Sequence, residues 1–133
     1  MTEQKPLPPK PVLYLRAMMF WVGFTLSTIL IATDGSKGSW DPQTADSDLI
    51  AQRRAEQMSA AEIIGAASVA WLGQPDGELQ HTPALRKAIA SMIRKHRPDV
   101  VLTHDPWQRY QLHPDHRAAG LLAVDAVQDY IEL

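Results

Sequence analysis

Two histidines bracket a proline and an aspartate at His113-Pro114-Asp115-His116 in a chain of 133 residues. Imidazole changes charge close to neutrality, and its unprotonated ring nitrogen is also a common metal ligand. Proline is well placed at a first helical position, so the tetrapeptide reads as a loop entering a helix, with His113 at the cap. His113 and His116 then lean to one side of the first turn. One ring can bind a cation while the other moves a proton, and the carboxylate of Asp115 can accept from an imidazole and fix its tautomer. The plain alternative is a histidine cap followed by a solvated, charged turn. A His-x-x-His pair alone does not separate the two.

Composition narrows the chemistry. The chain has no cysteine, so a disulfide framework and a thiolate zinc site are both excluded. A metal ion would have to be held by His, Asp or Glu, a donor set that suits a catalytic site better than a structural one. The formal net charge of -2 argues against nucleic acid as a partner, since such binders carry a basic face. With 45% hydrophobic and 21% charged residues, the chain suits one α/β domain with a modest core. The expected setting is the cytoplasm, and a homo-oligomer is compatible with the composition.

The elements that must position these residues follow from periodicity and punctuation. Residues 1–11 are rich in proline and read as a disordered leader, with a partial α/β domain over 12–133. Val12-Leu13-Tyr14-Leu15 reads as a short strand. Residues 17–33 carry no charge and follow Lys5, Lys10 and Arg16, which on paper resembles a signal peptide or a short membrane span. The preferred reading is a buried helix and strand end to end, with Thr28-Ile29-Leu30-Ile31-Ala32 as the strand. Asp46 or Ser47 is expected to cap a helix running to Ile64, with Ile50, Met58, Ala61 and Ile64 on its apolar side and Gly65 as its stop. A strand over 67–72 is followed by the turn signal Pro75-Asp76-Gly77. Thr82-Pro83 opens a helix whose stripe is Leu85, Ile89, Met92 and Ile93, with Arg94, Lys95 and His96 in its last turn. Val100-Val101-Leu102 is predicted to be a buried strand, followed by a polar loop from His104 to Leu112. The last helix is predicted to bury Ala119, Leu122, Ala123, Ala126, Val127 and Tyr130.

Alternating strands and helices with short polar links predict a Rossmann-like three-layer sandwich with a mostly parallel sheet of about four strands. Ligands bind such sheets beyond the carboxyl ends of the strands. Asp34, Asp76, His104 and Asp105 each follow a predicted strand, and should meet His113 and His116 at that edge. Trp40 and Trp107 fall in loops near it, where each could equally stack on a sugar or anchor its loop. Arg53 and Glu56 form a helical pair that is by default a solvated one. Tyr110 and His81 carry no assignable role.

Several separated segments agree with one family. Thr33-Asp34-Gly35, Arg53-x-x-Glu56 and Leu72-Gly73-x-Pro75-Asp76-Gly77 occur in series. They precede Arg97-Pro98-Asp99-Val100-Val101-Leu102-Thr103-His104-Asp105-Pro106 and His113-Pro114-Asp115-His116-Arg117. From Ile29 to Tyr130 this order resembles the PIG-L-like or LmbE-like zinc-dependent N-acetylglucosamine de-N-acetylases. The resemblance implies that His116 is a zinc ligand. It further implies that His113 protonates the leaving amine or steadies the oxyanion, and that Asp115 orients and charges His113. Arg53, Asp76 and His104 would contact the substrate, an amino-sugar small molecule. Amide hydrolysis needs an activated water, a Lewis acid on the carbonyl and a proton for the amine, and zinc with an open position meets the first two needs.

One departure is plain. The family opens with a His-Pro-Asp-Asp segment that supplies two further zinc ligands and a general base. This chain has no histidine before His81, and reads Arg16-Ala17-Met18-Met19-Phe20-Trp21 where that segment belongs. Asp34 or His104 would be weak substitutes as ligands. The expectation is therefore a truncated member that also lacks the usual C-terminal part. The alternatives are a metal-free remnant acting as a binding or scaffold fragment, and a fragment attached to a membrane through residues 17–33.

Overall fold

The computed structural model describes residues 27–41, 45–109 and 112–131. The expected leader, the strand at 12–15, residues 17–26 and Tyr110 lie outside the described residues. Two strands, β1 (Thr28–Thr33) and β2 (Ser68–Gln74), and three helices, α1 (Asp46–Ile64), α2 (Pro83–His96) and α3 (Pro114–Ile131), follow in the order β1-α1-β2-α2-α3.

β1 and β2 pair in parallel, with Thr28 opposite Ser68 and Ile31 opposite Trp71. The register then slips, so that Thr33 faces Gln74, and Gly73 absorbs the irregularity at φ 64°. A parallel pair needs a long crossover, and α1 provides it. Side chains alternate across the sheet. Leu30, Ala32 and Leu72 pack on the core formed with Leu79, Ile89, Ala90, Ile93, Ala118, Leu122 and Ala126. Ile31 and Trp71 instead line a cleft with Arg53, Gln57 and Ala60 of α1. Helices thus cover both faces, giving a Rossmann-like three-layer arrangement.

α2 begins as its sequence predicts: Thr82 Oγ1 accepts from Leu85 N at 3.3 Å, and Pro83 takes the first turn. Its stripe is buried at Ile89 and Ile93, and its basic last turn ends at Arg97, which caps the helix in a left-handed conformation. α1 stops at Gly65, also left-handed, as expected.

Other expectations need correction. The N-cap of α1 is Ala45, which makes no side-chain cap, so neither Asp46 nor Ser47 fills that role. Their carboxylate and hydroxyl lie one step too far into the helix to reach back over its end. The buried contacts of α1 are Leu49 and Ala61, while Met58 and Ile64 are exposed. A helix that covers a small sheet needs only a narrow strip of contact. In α3 the buried face is Ala118, Gly120, Leu122 and Ala126, and Tyr130 is exposed near the helix end.

The largest correction concerns Val100-Val101-Leu102. This segment forms no strand, and its residues are 71%, 41% and 91% exposed. β-branched side chains favour a strand only where a neighbouring strand and a covered face receive them. The described sheet contains β1 and β2 alone, neither of which pairs with this segment. The uncharged run over 17–33 is also interrupted, because its last six residues form β1. Among the described residues no helix is long and apolar enough to cross a membrane.

Candidate functional site

The carboxyl ends of β1 and β2 are tied together by carboxylates that accept main-chain N–H groups. Asp34, just beyond β1, accepts from Ser36 N at 3.0 Å and from Asp76 N at 3.1 Å through the same oxygen. Asp76 Oδ2 in turn accepts from Lys37 N at 3.3 Å. Desolvation, the largest single influence on Asp34, acts to raise its pKa. The Ser36 and Asp76 hydrogen bonds outweigh it and hold the carboxyl below its ordinary value.

α3 meets the same turn from the other side. Asp115 is only 5% exposed, and its two oxygens accept from Gly77 N at 2.7 Å and Leu79 N at 3.1 Å. Gly77 sits at φ 80°, a conformation that glycine adopts without steric cost and that aims its N–H at the carboxylate. The main-chain N–H of Asp115 donates to Nδ1 of His113 at 3.2 Å, so the His113 ring caps the helix.

Three imidazoles lie in a row beside this junction. His116 stacks on His104 with centroids 4.2 Å apart and planes 5° from parallel. On its other side His113 lies 4.7 Å away at 23°. Desolvation, then the charges on His104 and His113, lower the pKa of His116 against an opposing influence from Asp115. His116 therefore stays unprotonated, and available as a ligand, further into acid than a free imidazole. His104 is held in the row because its carbonyl crosses α3 at Gly120, where any Cβ would collide with that oxygen and meet Pro106 Cδ at 3.0 Å.

The predicted edge is thus assembled: Asp34, Asp76, His104, His113, Asp115 and His116 are linked by bonds or ring contacts. Arg53 stands apart from the rings. It pairs with Glu56 at 2.7 Å, donates to the Gly38 carbonyl at 3.1 Å, and lines the cleft with Asp34, Gly35 and Trp71. Asp105 accepts from Trp107 N at 2.9 Å, a local turn contact. Trp40 and Trp107 are 103% and 70% exposed, so neither anchors its loop. His81 pairs with Asp125 at 2.8 Å, a contact that spans 44 positions and has no sequence signal. The Asp115 clasp on Gly77 and Leu79 was equally invisible, although Pro75-Asp76-Gly77 announced the turn that receives it.

A Rossmann-like sandwich carrying imidazoles and carboxylates beyond its strand ends defines a class of α/β proteins with a polar site at the sheet edge. The particular family is given by comparison. Residues 26–127 match the family model described as PIG-L, GlcNAc-PI de-N-acetylase, and the chain belongs to that family. It is 44% identical over 98 residues to the diacetylchitobiose deacetylase of Thermococcus kodakarensis, covering 74% of this chain and 37% of that one. The chain therefore spans well under half the length of this curated relative. Among solved structures it resembles N,N'-diacetylchitobiose deacetylase from Pyrococcus horikoshii complexed with the inhibitor MPG. The TM-score is 0.75 at 34% identity, over 83% of this chain and 43% of that one. It also resembles the 4-carboxy-2-hydroxymuconate hydratase GalB from Pseudomonas putida KT2440, with TM-score 0.67 at 25% identity, over 83% of this chain and 51% of that one.

The donors at this edge can be set against the zinc that the motif implies. They are imidazole and carboxylate without thiolate, a set that suits zinc or a similar divalent ion. Ligand atoms of Asp76, His113 and Asp115 lie within 4.8 Å of one another, and His116 stacks directly on His113. These donor types suit the ion, but both Asp115 oxygens and His113 Nδ1 already accept main-chain N–H groups. Of the three ligands that the family motif calls for, the sequence supplies His116.

Proposed function

We propose that this chain is, or is part of, a zinc-dependent de-N-acetylase that removes the acetyl group from an N-acetylglucosamine-containing small molecule. The observation that supports it most is the row His104-His116-His113 beside the carboxylate-laced strand ends, in a member of the PIG-L family. His116 would hold the ion, with Asp34 or His104 as weak substitutes for the family's other ligands. Bound zinc supplies a Lewis acid for the amide carbonyl and a water acidic enough to act as nucleophile near neutrality.

The protein's own groups do the rest. His113 lies next to His116 and donates a hydrogen bond to the oxyanion or a proton to the departing amine. Asp76 and His104 flank the rings and contact sugar hydroxyls. Arg53, on the cleft side, contacts the more distant part of the substrate. Water adds to the carbonyl carbon, the C–N bond breaks, and acetate and the free amino sugar leave.

Metal analysis of the purified chain tests this reading. Near-stoichiometric zinc that is lost in His116→Ala supports it, as does release of acetate from diacetylchitobiose. Zinc no higher than in His116→Ala would leave the second reading, a metal-free binding fragment. The absence of any histidine before His81 favours that alternative.

A further inference from the structure

We infer that the main-chain N–H of Asp115 holds His113 as its Nε2–H tautomer, while the Asp115 carboxylate clasps the 77–79 turn instead of the His113 ring. The functional consequence rests on the de-N-acetylase reading; the geometry does not.

Among the groups that meet here, a main-chain N–H is the one whose role is unambiguous, because it can only donate. The 3.2 Å contact from Asp115 N therefore requires a lone pair on His113 Nδ1. A neutral imidazole carries one ring proton, which must then sit on Nε2. The ring does at this helix start what a serine or aspartate oxygen does elsewhere, accepting an N–H that has no partner within the helix. Asp115 itself is engaged on its other side. Its Oδ2 accepts Gly77 N at 2.7 Å and its Oδ1 accepts Leu79 N at 3.1 Å, and the residue is buried.

The alternative has the opposite polarity. If the carboxylate instead accepted a hydrogen bond from Nδ1–H, Nε2 of the neutral ring would be bare and would act as a proton acceptor. With the main chain on Nδ1, Nε2–H is a donor in the neutral ring. A donor can stabilise the negative oxygen that develops on an amide carbonyl, without first collecting a proton. That polarity agrees with the role the family resemblance already gives His113, and Asp115 becomes a positioning residue for the turn that carries Asp76.

Nitrogen-15 NMR of the neutral ring in the full chain without metal reads the tautomer directly. An Nε2–H signal with unprotonated Nδ1 is expected, and an Nδ1–H signal overturns the inference. Asp115→Asn keeps the main-chain donor but places an amide hydrogen against one of the two turn N–H groups. Amide exchange at Gly77 or Leu79, whichever faces the new amide nitrogen, should rise about tenfold, with the His113 tautomer unchanged. A changed tautomer in this variant, or unchanged exchange at both amides, overturns the clasp. If the variant fails to fold, the wild-type tautomer still decides. A wild-type chain with neither zinc nor acetate release defeats the enzymatic reading alone, and an Nδ1–H ring in a zinc-binding chain defeats this inference alone.

Discussion

Asp34 shows how one side chain can join two strand ends. Its carboxylate accepts N–H groups from the loop after β1 and from the turn after β2, and both bonds favour the charged form. Its folded pKa lies below the ordinary carboxylate value, so its stabilising contribution is complete above that value and is lost as pH falls through the depressed one. Asp34→Asn should lower stability at neutral pH by about 1 kcal/mol and flatten the acid limb of a stability-against-pH curve. An unchanged acid limb would mean that the bonds to Ser36 and Asp76 do not persist in solution. His116 titrates with the opposite consequence for its charge. The folded ring resists protonation, so stability also declines as pH drops through the usual histidine range, and His116→Gln should remove that part of the slope.

At the scale of elements, the site depends on how closely the loop after His104 approaches α3. Gly120 makes that approach possible, with the His104 carbonyl and the Pro106 ring filling the space a Cβ would need. Gly120→Ala gains helix propensity but forces the loop outward, and overpacking of this kind costs about 1–3 kcal/mol. The expected outcome is a lower melting temperature together with loss of the His104–His116 ring contact, visible as changed ring shifts in NMR. A stabilised variant with both rings unmoved would contradict the close approach. α2 illustrates the opposite case, where local signals suffice: Thr82, Pro83, the apolar stripe and the basic last turn all agree, and the helix forms where they place it.

For the molecule as a whole, stability is concentrated between α2, α3 and one face of the sheet. Leu122 is fully buried there, among Ile89, Ala90, Ile93 and Ala126. Leu122→Ala should cost about 2–5 kcal/mol, enough to unfold a marginal domain, as denaturant titration would show. A loss under 1 kcal/mol would place the core elsewhere. α1 contributes far less burial, with only Leu49 and Ala61 covered. The exposure of Val100, Val101 and Leu102 belongs to this scale too. Their residue types satisfy every local criterion for a strand, yet a strand exists only as a member of a sheet.

Local information settled a good deal by itself. It placed α2, the Gly65 stop, β1, β2 and the proline-led start of α3, because caps, turns and periodicity act within a few residues. It also supplied the His-Pro-Asp-His segment, and with it the family. Tertiary contacts decided the remainder. Only folding could aim the Asp115 oxygens at Gly77 and Leu79, slide His104 over Gly120 onto His116, and leave 100–102 outside the described sheet. Each of those outcomes depends on groups far apart along the chain, whose separation in space is fixed by packing and not by any pattern of residue types.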